Sequence, residues 1–163
     1  MTNPVSIRPA RPDDVPAILG LIGELADFEK LRHQLVAKEE DFQEALFGEQ
    51  PAAAALVAVT DDSQPIGYAI YFSTFSTFVG KAGIWLEDIY VRPEFRGQKI
   101  GKQLLKSVAE IAKQRNAGRL EWCVLDWNQN AIEFYESIGA DVMPDWRICR
   151  MDRSRVEAFI DSD

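Results

Sequence analysis

Hydrophobic positions along the chain switch between two spacings, and the switches mark the elements. Val15, Ile18, Leu19, Ile22, Leu25, Ala26 and Phe28 fall on a 3.6-residue stripe, the pattern of a helix with one buried face. Asp13 or Asp14 stands where its cap belongs, and Pro16 is tolerated in the first turn. Ile100, Leu104, Leu105, Val108, Ile111 and Ala112 form a second stripe within Lys99–Arg115, closed by Gly118. Shorter helices are expected over Lys38–Phe47, stopping at Gly48, over Gln129–Ile138, closed by Gly139, and over Asp152–Ile160.

Strand-like runs alternate with these helices: Val5–Arg8, Ala53–Thr60, Ile66–Phe75, Gly83–Val91, Arg119–Leu125 and Trp146–Met151. The DDSQP turn joins the second and third runs into an antiparallel hairpin. The mixture predicts an α/β chain of α+β type, with one mixed sheet covered by helices. No repeat, low-complexity stretch or long linker interrupts it, and 163 residues suit one domain spanning 1–163.

Composition narrows the chemistry. Acidic residues outnumber basic ones 26 to 18, so the net charge is −8. That surface repels phosphate backbones, which argues against nucleic acid, and it attracts cationic substrates. No apolar run reaches the ~18 residues of a membrane span, and MTNPVSIRPARPDD has no apolar core of a secretory signal. A cytoplasmic chain with reduced thiols is expected, and no membrane partner. Cys123 and Cys149 sit in strand-like runs and read as buried, inert cysteines. His33 is the only histidine and reads as a surface residue, and there is no CxxC or HxxxH spacing, so no metal site is expected. Chemistry falls to carboxylates, tyrosine, backbone amides or a bound cofactor.

The segment Arg96-Gly97-Gln98-Lys99-Ile100-Gly101-Lys102 joins a strand to a helix. A helix N-terminus offers unpaired N–H groups and a positive dipole end, and glycine lets an anion approach the backbone. Arg96, Lys99 and Lys102 add charge, so the loop suits a pyrophosphate; a solvated basic turn is the alternative. It is neither a Walker A loop nor a GxGxxG fingerprint, because three residues separate its glycines and Gln103 follows Lys102.

With its flanks, LEDIYVRPEFRGQKIGKQLL resembles the signature segment of the GNAT superfamily of acetyl-CoA-dependent N-acetyltransferases. Lys99 replaces the first glycine of that signature, which is accommodated if the loop is already helical there, as we expect. The runs LEDIYV, VLDWNQNAIEFYESIGA and DWRICRM are similar to the diamine acetyltransferase branch, which includes spermidine/spermine and thialysine acetyltransferases. The resemblance covers nearly the whole chain. It implies a twisted mixed sheet whose central parallel strands, Gly83–Val91 and Arg119–Leu125, splay apart to admit acetyl-CoA.

The resemblance also implies roles. The backbone of Ile89, Tyr90 and Val91 would pair with the pantetheine arm. Amides of Gly97, Gln98, Lys99, Ile100, Gly101 and Lys102, with Arg96, would hold the pyrophosphate, and Asn128, Ala131 and Phe134 would add contacts from the next helix. Tyr135 would be the general acid for the departing thiolate and Glu87 the acceptor of the amine proton through a water. Phe28, Glu29, Glu87, Asp88, Glu121, Trp122 and Cys123 would border the amine. The residues alone leave other readings open. Tyr135 can be a packing aromatic beside Phe134, Asn128 a helix cap, Glu29 an exposed helix acid and Trp146 a core residue. Since neighbours on a strand face opposite ways, Glu87 and Asp88 are expected to face opposite sides. The implied activity is transfer of acetyl to a primary amine of a polyamine or lysine-like molecule. The alternatives are a protein amino group or another amine as acceptor, or a non-catalytic acetyl-CoA-binding regulatory module. Members of this branch are commonly homodimers, and YAIYFSTFSTFVG fits either an interface or a core hairpin.

Overall fold

The structure is a computed structural model, and it describes residues 4–162. Met1–Asn3 and Asp163, the ends of the stretch read as one domain, lie outside the described residues. The chain divides into two compact units, Met1–Cys123 and Val124–Asp163.

The first unit carries a five-stranded sheet in the order β1 (Ser6–Pro9), β2 (Ala54–Val59), β3 (Pro65–Ser76), β4 (Lys81–Val91), β5 (Leu120–Trp122). The first three pairings are antiparallel and β4–β5 is parallel, so the sheet is mixed as the pattern predicted. The β4–β5 ladder runs from Ile84–Leu120 to Leu86–Trp122 and ends there. β4 continues for five more residues, Glu87–Val91, with no strand on that edge among the described residues. β5 is accordingly shorter than the expected Arg119–Leu125.

Two helices, α1 (Val15–Phe28) and α2 (Glu39–Phe47), cover one face. Ile18, Leu21 and Ile22 of α1 and Leu46 of α2 meet Ala55, Val57, Val59, Tyr68, Ile70 and Tyr90 of the sheet. Alternate residues of β2 supply that set, the period-2 pattern of a pleated strand. Against the other face lies α3 (Ile100–Gln114), which buries Ile100, Leu104, Leu105, Val108 and Ala112. Each of these side chains except Ala112 contributes roughly 1.5–3 kcal/mol on leaving water. Gly67 of β3 lets β4 approach: a Cβ there would lie 2.7 Å from the Tyr90 carbonyl oxygen.

Helix ends follow side-chain chemistry that the sequence only partly signalled. Asp14 is the residue before α1, yet its carboxylate is spent elsewhere. It accepts from Arg11 N–H at 2.7 Å and from both Arg8 Nη groups at 2.7 and 2.9 Å. This pair is largely buried and pins β1 to the start of α1. α3 is closed not by Gly118 but by Asn116, whose φ is 51 and whose N–H bonds to the Lys113 carbonyl at 3.1 Å. Asn tolerates the left-handed conformation that ends a helix.

In the second unit, α4 (Gln129–Ser137) is closed by Gly139 at φ 90, and α5 (Arg153–Ile160) is capped by Asp152, which accepts from Arg155 N–H at 3.0 Å. The strand expected over Trp146–Met151 is absent among the described residues. Trp146, Ile148 and Cys149 give that segment strand propensity, but a strand needs a neighbouring backbone to take its N–H and C=O groups. Trp146, expected in the core, is 74% exposed. Cys123 and Cys149 are also exposed rather than buried, because the ladders expected to enclose them do not extend that far. His33 is at the surface, as expected. In YAIYFSTFSTFVG, Tyr68–Tyr71 are core, whereas Phe75 and Phe78 at the hairpin tip are exposed. No described helix is long and apolar enough to cross a membrane.

The buried pair gives a stability test. Arg8 and a backbone N–H hold the Asp14 carboxyl below its ordinary 3.8, so the pair's contribution is present above that value. Arg8→Met should destabilise by about 2 kcal/mol at pH 7. The difference from wild type should shrink as pH falls below the ordinary 3.8, read from urea unfolding at a series of pH values.

Candidate active site

β4 and the loop after it carry most of the expected site. The β3–β4 register pairs Tyr71 with Leu86 and Ile70 with Asp88, leaving Glu87 as an extra, unpaired residue. This is a β-bulge. Tyr71 and Ile70 are neighbours and point to opposite faces, so Leu86 and Asp88 opposite them also point to opposite faces. Simple alternation would have put those two together. The expectation that Glu87 and Asp88 face opposite ways does not survive, since alternation fails across the bulge. Glu87 is exposed, and one carboxylate oxygen accepts from Trp85 Nε1–H at 2.9 Å.

Asp88 is turned into partial burial beside Tyr68, whose hydroxyl lies 3.5 Å from Asp88 Oδ2. Burial pushes the Asp88 carboxyl up to about 6, Glu87 and Glu29 push the same way, and the Tyr68 hydrogen bond offsets part of it. Glu29 is half-buried just past the end of α1, and burial raises it too. Buried Tyr68 is pushed well above its ordinary 10 by desolvation, then by Asp88 and Glu29. Three carboxyl groups from two elements therefore share one electrostatic neighbourhood, with a phenol against one of them. Such a cluster can hold an alkylammonium and take up a proton from it.

Beyond Val91, a short 3-10 turn (Pro93–Phe95) leads to Arg96 and the loop. Gly97 has φ 80, a conformation open to glycine without cost. Lys99 has φ 63 and ψ 14 and is left-handed, so the loop is not helical there, contrary to expectation. The chain reverses into α3 at this residue, and lysine holds a conformation that glycine would take more easily. The first helical bond, Gln103 N–H to the Lys99 carbonyl, spans 3.0 Å. The amides of Ile100, Gly101 and Lys102 precede it and have no intrahelical acceptor. With the charges of Arg96, Lys99 and Lys102, they make a donor set suited to a pyrophosphate.

Other predicted residues are placed as follows. Phe28 ends α1 and is partly exposed under Arg96, whose guanidinium lies 5.7 Å from the ring centroid. Ile89 is half-buried, and Tyr90 and Val91 are buried; the Val91 carbonyl accepts Arg96 Nε–H at 3.0 Å. On β5, Glu121 is 3.6 Å from Arg119, and Trp122 is half-buried. In the second unit, Asn128 caps α4 through Oδ1, which accepts from Ala131 N–H at 3.4 Å. Phe134 and Tyr135 have ring centroids 5.5 Å apart, and burial raises the Tyr135 phenol above its ordinary 10. Such a phenol keeps its proton at neutral pH, the state a proton donor needs. Sequence reasoning missed Tyr68, Glu24 and Arg92. Tyr68 lies in a run that reads as core, and nothing local marks its carboxylate partner.

Sequence comparison identifies the class as an acetyl-transferring enzyme that acts on amines. The chain belongs to the acetyltransferase (GNAT) family, matched over residues 23–140. Among curated relatives, it is 43% identical over 143 residues to a thialysine N-epsilon-acetyltransferase of Bos taurus, covering 83% of this chain and 84% of that one. It is 33% identical to an L-ornithine N5-acetyltransferase of Arabidopsis thaliana, covering 94% and 86%. An integron cassette protein of V. cholerae has the same fold, with a TM-score of 0.79 at 27% identity over 97% of this chain and 98% of that one.

Two substitutions test the local physics. Lys99→Gly should stabilise the protein by about 1 kcal/mol, a rise in Tm of about 2–4 °C by scanning calorimetry. Burial makes ionisation of Asp88 costly to the folded state, so stability from this group is present below the ordinary 3.8 and lost as pH rises through about 6. Asp88→Asn should therefore stabilise on the order of 2 kcal/mol at pH 8, with the gain fading as pH falls from 6 toward 4 in denaturant titrations.

Proposed function

We propose that this enzyme transfers the acetyl group of acetyl-CoA to the primary amine of a small cationic acceptor, a lysine-like or ornithine-like amino acid or a polyamine. One observation carries the reading. After losing its parallel neighbour at Leu86, β4 presents in succession two carboxylates (Glu87, Asp88), a main-chain edge with no strand against it among the described residues (Ile89, Tyr90) and a basic helix entry (Arg96–Lys102). The relatives named for thialysine and ornithine acetylation, both acting on amino-acid side-chain amines, support the acceptor class.

When bound, acetyl-CoA supplies the activated acetyl thioester. The amides of Ile100, Gly101 and Lys102 would hold its pyrophosphate, and the edge of Ile89–Val91 would pair with its amide arm. An alkylamine has a pKa of ~10.4 and arrives protonated, so it must lose a proton before its nitrogen can attack. Glu29 and Asp88 hold the ammonium, and Glu87 takes the proton through a water. Tyr135 gives its phenol proton to the departing sulfur, an assignment that rests on the AIEFYESIGA segment and on the protonated state of that phenol. Two protons leave the nitrogen: the first, lost from the ammonium, passes through Glu87 to solvent, and the second, lost as the amide forms, restores the proton that Tyr135 gives to sulfur, so amide, free thiol and one net proton are released.

A thiol-release assay with acetyl-CoA and spermidine, putrescine, lysine, ornithine or thialysine checks this. Turnover is expected with an amino-acid amine; coenzyme A binding with no thiol released for any amine would defeat the proposal. Tyr135→Phe should lower kcat at least about tenfold with little change in acetyl-CoA affinity. The pH–rate profile of Glu87→Gln should differ from that of the wild type, and an unchanged profile would remove Glu87 as proton acceptor.

A further inference from the structure

Arg96 sits at the surface, yet three contacts fix its plane. Its Nε–H bonds to the Val91 carbonyl at 3.0 Å, and its guanidinium carbon lies 5.5 Å from the Tyr90 ring centroid and 5.7 Å from that of Phe28. Both rings are within the ~6 Å at which a cation is drawn to an aromatic face. Phe28 belongs to the last turn of α1, and Glu29 follows it. One turn earlier, Glu24 accepts from Arg92 Nε–H at 3.0 Å and from the Tyr90 hydroxyl at 3.3 Å. Positions 24 and 28 are neighbours on one helix face, so that face is tied at two levels to the exit of β4.

The end of α1 is itself held in a strained form. Lys30 has φ 60, with its N–H on the Asp27 carbonyl at 3.1 Å and the Leu31 N–H on the Ala26 carbonyl at 2.8 Å. This is the left-handed closure that glycine normally provides. A non-glycine residue there needs support from its surroundings, and the Phe28–Arg96 contact lies two residues away.

We propose that Arg96 is a positioning residue that couples the 96–102 loop to the last turn of α1 by stacking on Phe28 and Tyr90. A pyrophosphate-bearing ligand at the loop thereby orders the end of α1 that carries Glu29. The inference rests on the loop being the coenzyme A site. The guanidinium can serve both ends: its ring stack and Nε–H hold the plane, while the Nη donors have no acceptor among the described residues and remain for a phosphate oxygen. Lysine offers neither the planar stack nor the Nε–H, so Arg96→Lys keeps the charge and removes the coupling.

Hydrogen–deuterium exchange of the segment spanning residues 24–31 tests this, measured with and without saturating coenzyme A and with binding verified by calorimetry. In the wild type, coenzyme A should slow exchange at Glu29, Lys30 and Leu31 by about fivefold or more. In Arg96→Lys and in Phe28→Leu, each saturated with coenzyme A, the slowing should fall below about twofold. A purely structural role for Arg96 would speed exchange equally in both states and keep the ratio; that result would overturn the proposal. Bound coenzyme A with no protection in the wild type would overturn it alone, whereas no coenzyme A binding at all would overturn the proposed function with it.

Discussion

The antiparallel ladder of β3 and β4 keeps one register from Ser76–Lys81 to Tyr71–Leu86 and another from Ile70–Asp88 to Gly67–Val91. Glu87, between them, has no opposite number, and the site depends on that extra residue. Before the bulge, Leu86 faces away from α1 and is buried. After it, Asp88 and Tyr90 share the face that α1 covers, which brings Asp88 to Tyr68 and Tyr90 to Glu24. Without the inserted residue, continued alternation would set position 88 on the face of Leu86, among the apolar side chains packed by α3. The β4–β5 ladder also stops at Leu86, so a single point in the sheet both redirects a carboxyl and releases a main-chain edge.

That arrangement works against stability locally. Asp88 is largely desolvated with two other carboxyl groups in electrostatic reach, and its nearest neutral partner is a phenol at a long 3.5 Å. Lys30 and Lys99 occupy left-handed conformations at the ends of the two helices that flank β4. Each departs from what a purely structural sequence would choose, and all lie along one route from the end of α1 to the start of α3. The apolar contacts of Ile18, Leu21, Tyr68, Leu104 and Val108, all fully buried, offset these costs. Concentrating unfavourable choices where chemistry happens, on a scaffold that tolerates them, is the usual distribution in enzymes.

Helices α1 to α4 lie within one or two residues of where the periodicity places them, because an amphipathic stripe records both the helix and the face it buries. The basic loop at Arg96–Lys102 was legible for a similar reason: the charges and glycines are contiguous. Three features were not. The bulge at Glu87 depends on the register of β4 against its hairpin partner β3, which the hydrophobic pattern of β4 alone does not record. The left-handed Lys99 violates residue preference, so preference pointed to a helix instead. The segment Trp146–Met151 has strand composition but no strand, since composition supplies propensity and not a partner backbone. The assignment of Glu29 to the neighbourhood of Asp88 came only from the family resemblance, as a helix-end glutamate alone reads as a solvated acid.

The net charge of −8 conceals two opposed local fields, and their separation matters more than the sum. Asp88, raised to about 6, is partly protonated near neutrality when no cation is present. An ammonium placed among Glu29, Glu87 and Asp88 would reverse the main electrostatic cause of that shift and favour the ionised carboxylate. Binding of a charged amine at this cluster would therefore release a proton from the protein. Once the amine gives up its own proton and becomes neutral, the stabilising cation is gone, and the carboxylates regain affinity for a proton at that moment. In the proposed reaction, the same repulsion that costs the empty site stability would thus help draw the proton off the nucleophile. The basic loop takes no direct part in this step: in the proposed reading it would hold an anion at the other end of β4, where acidic groups would be unfavourable. One strand can serve both ends because its bulge and its loop are separated in sequence and differ in sign.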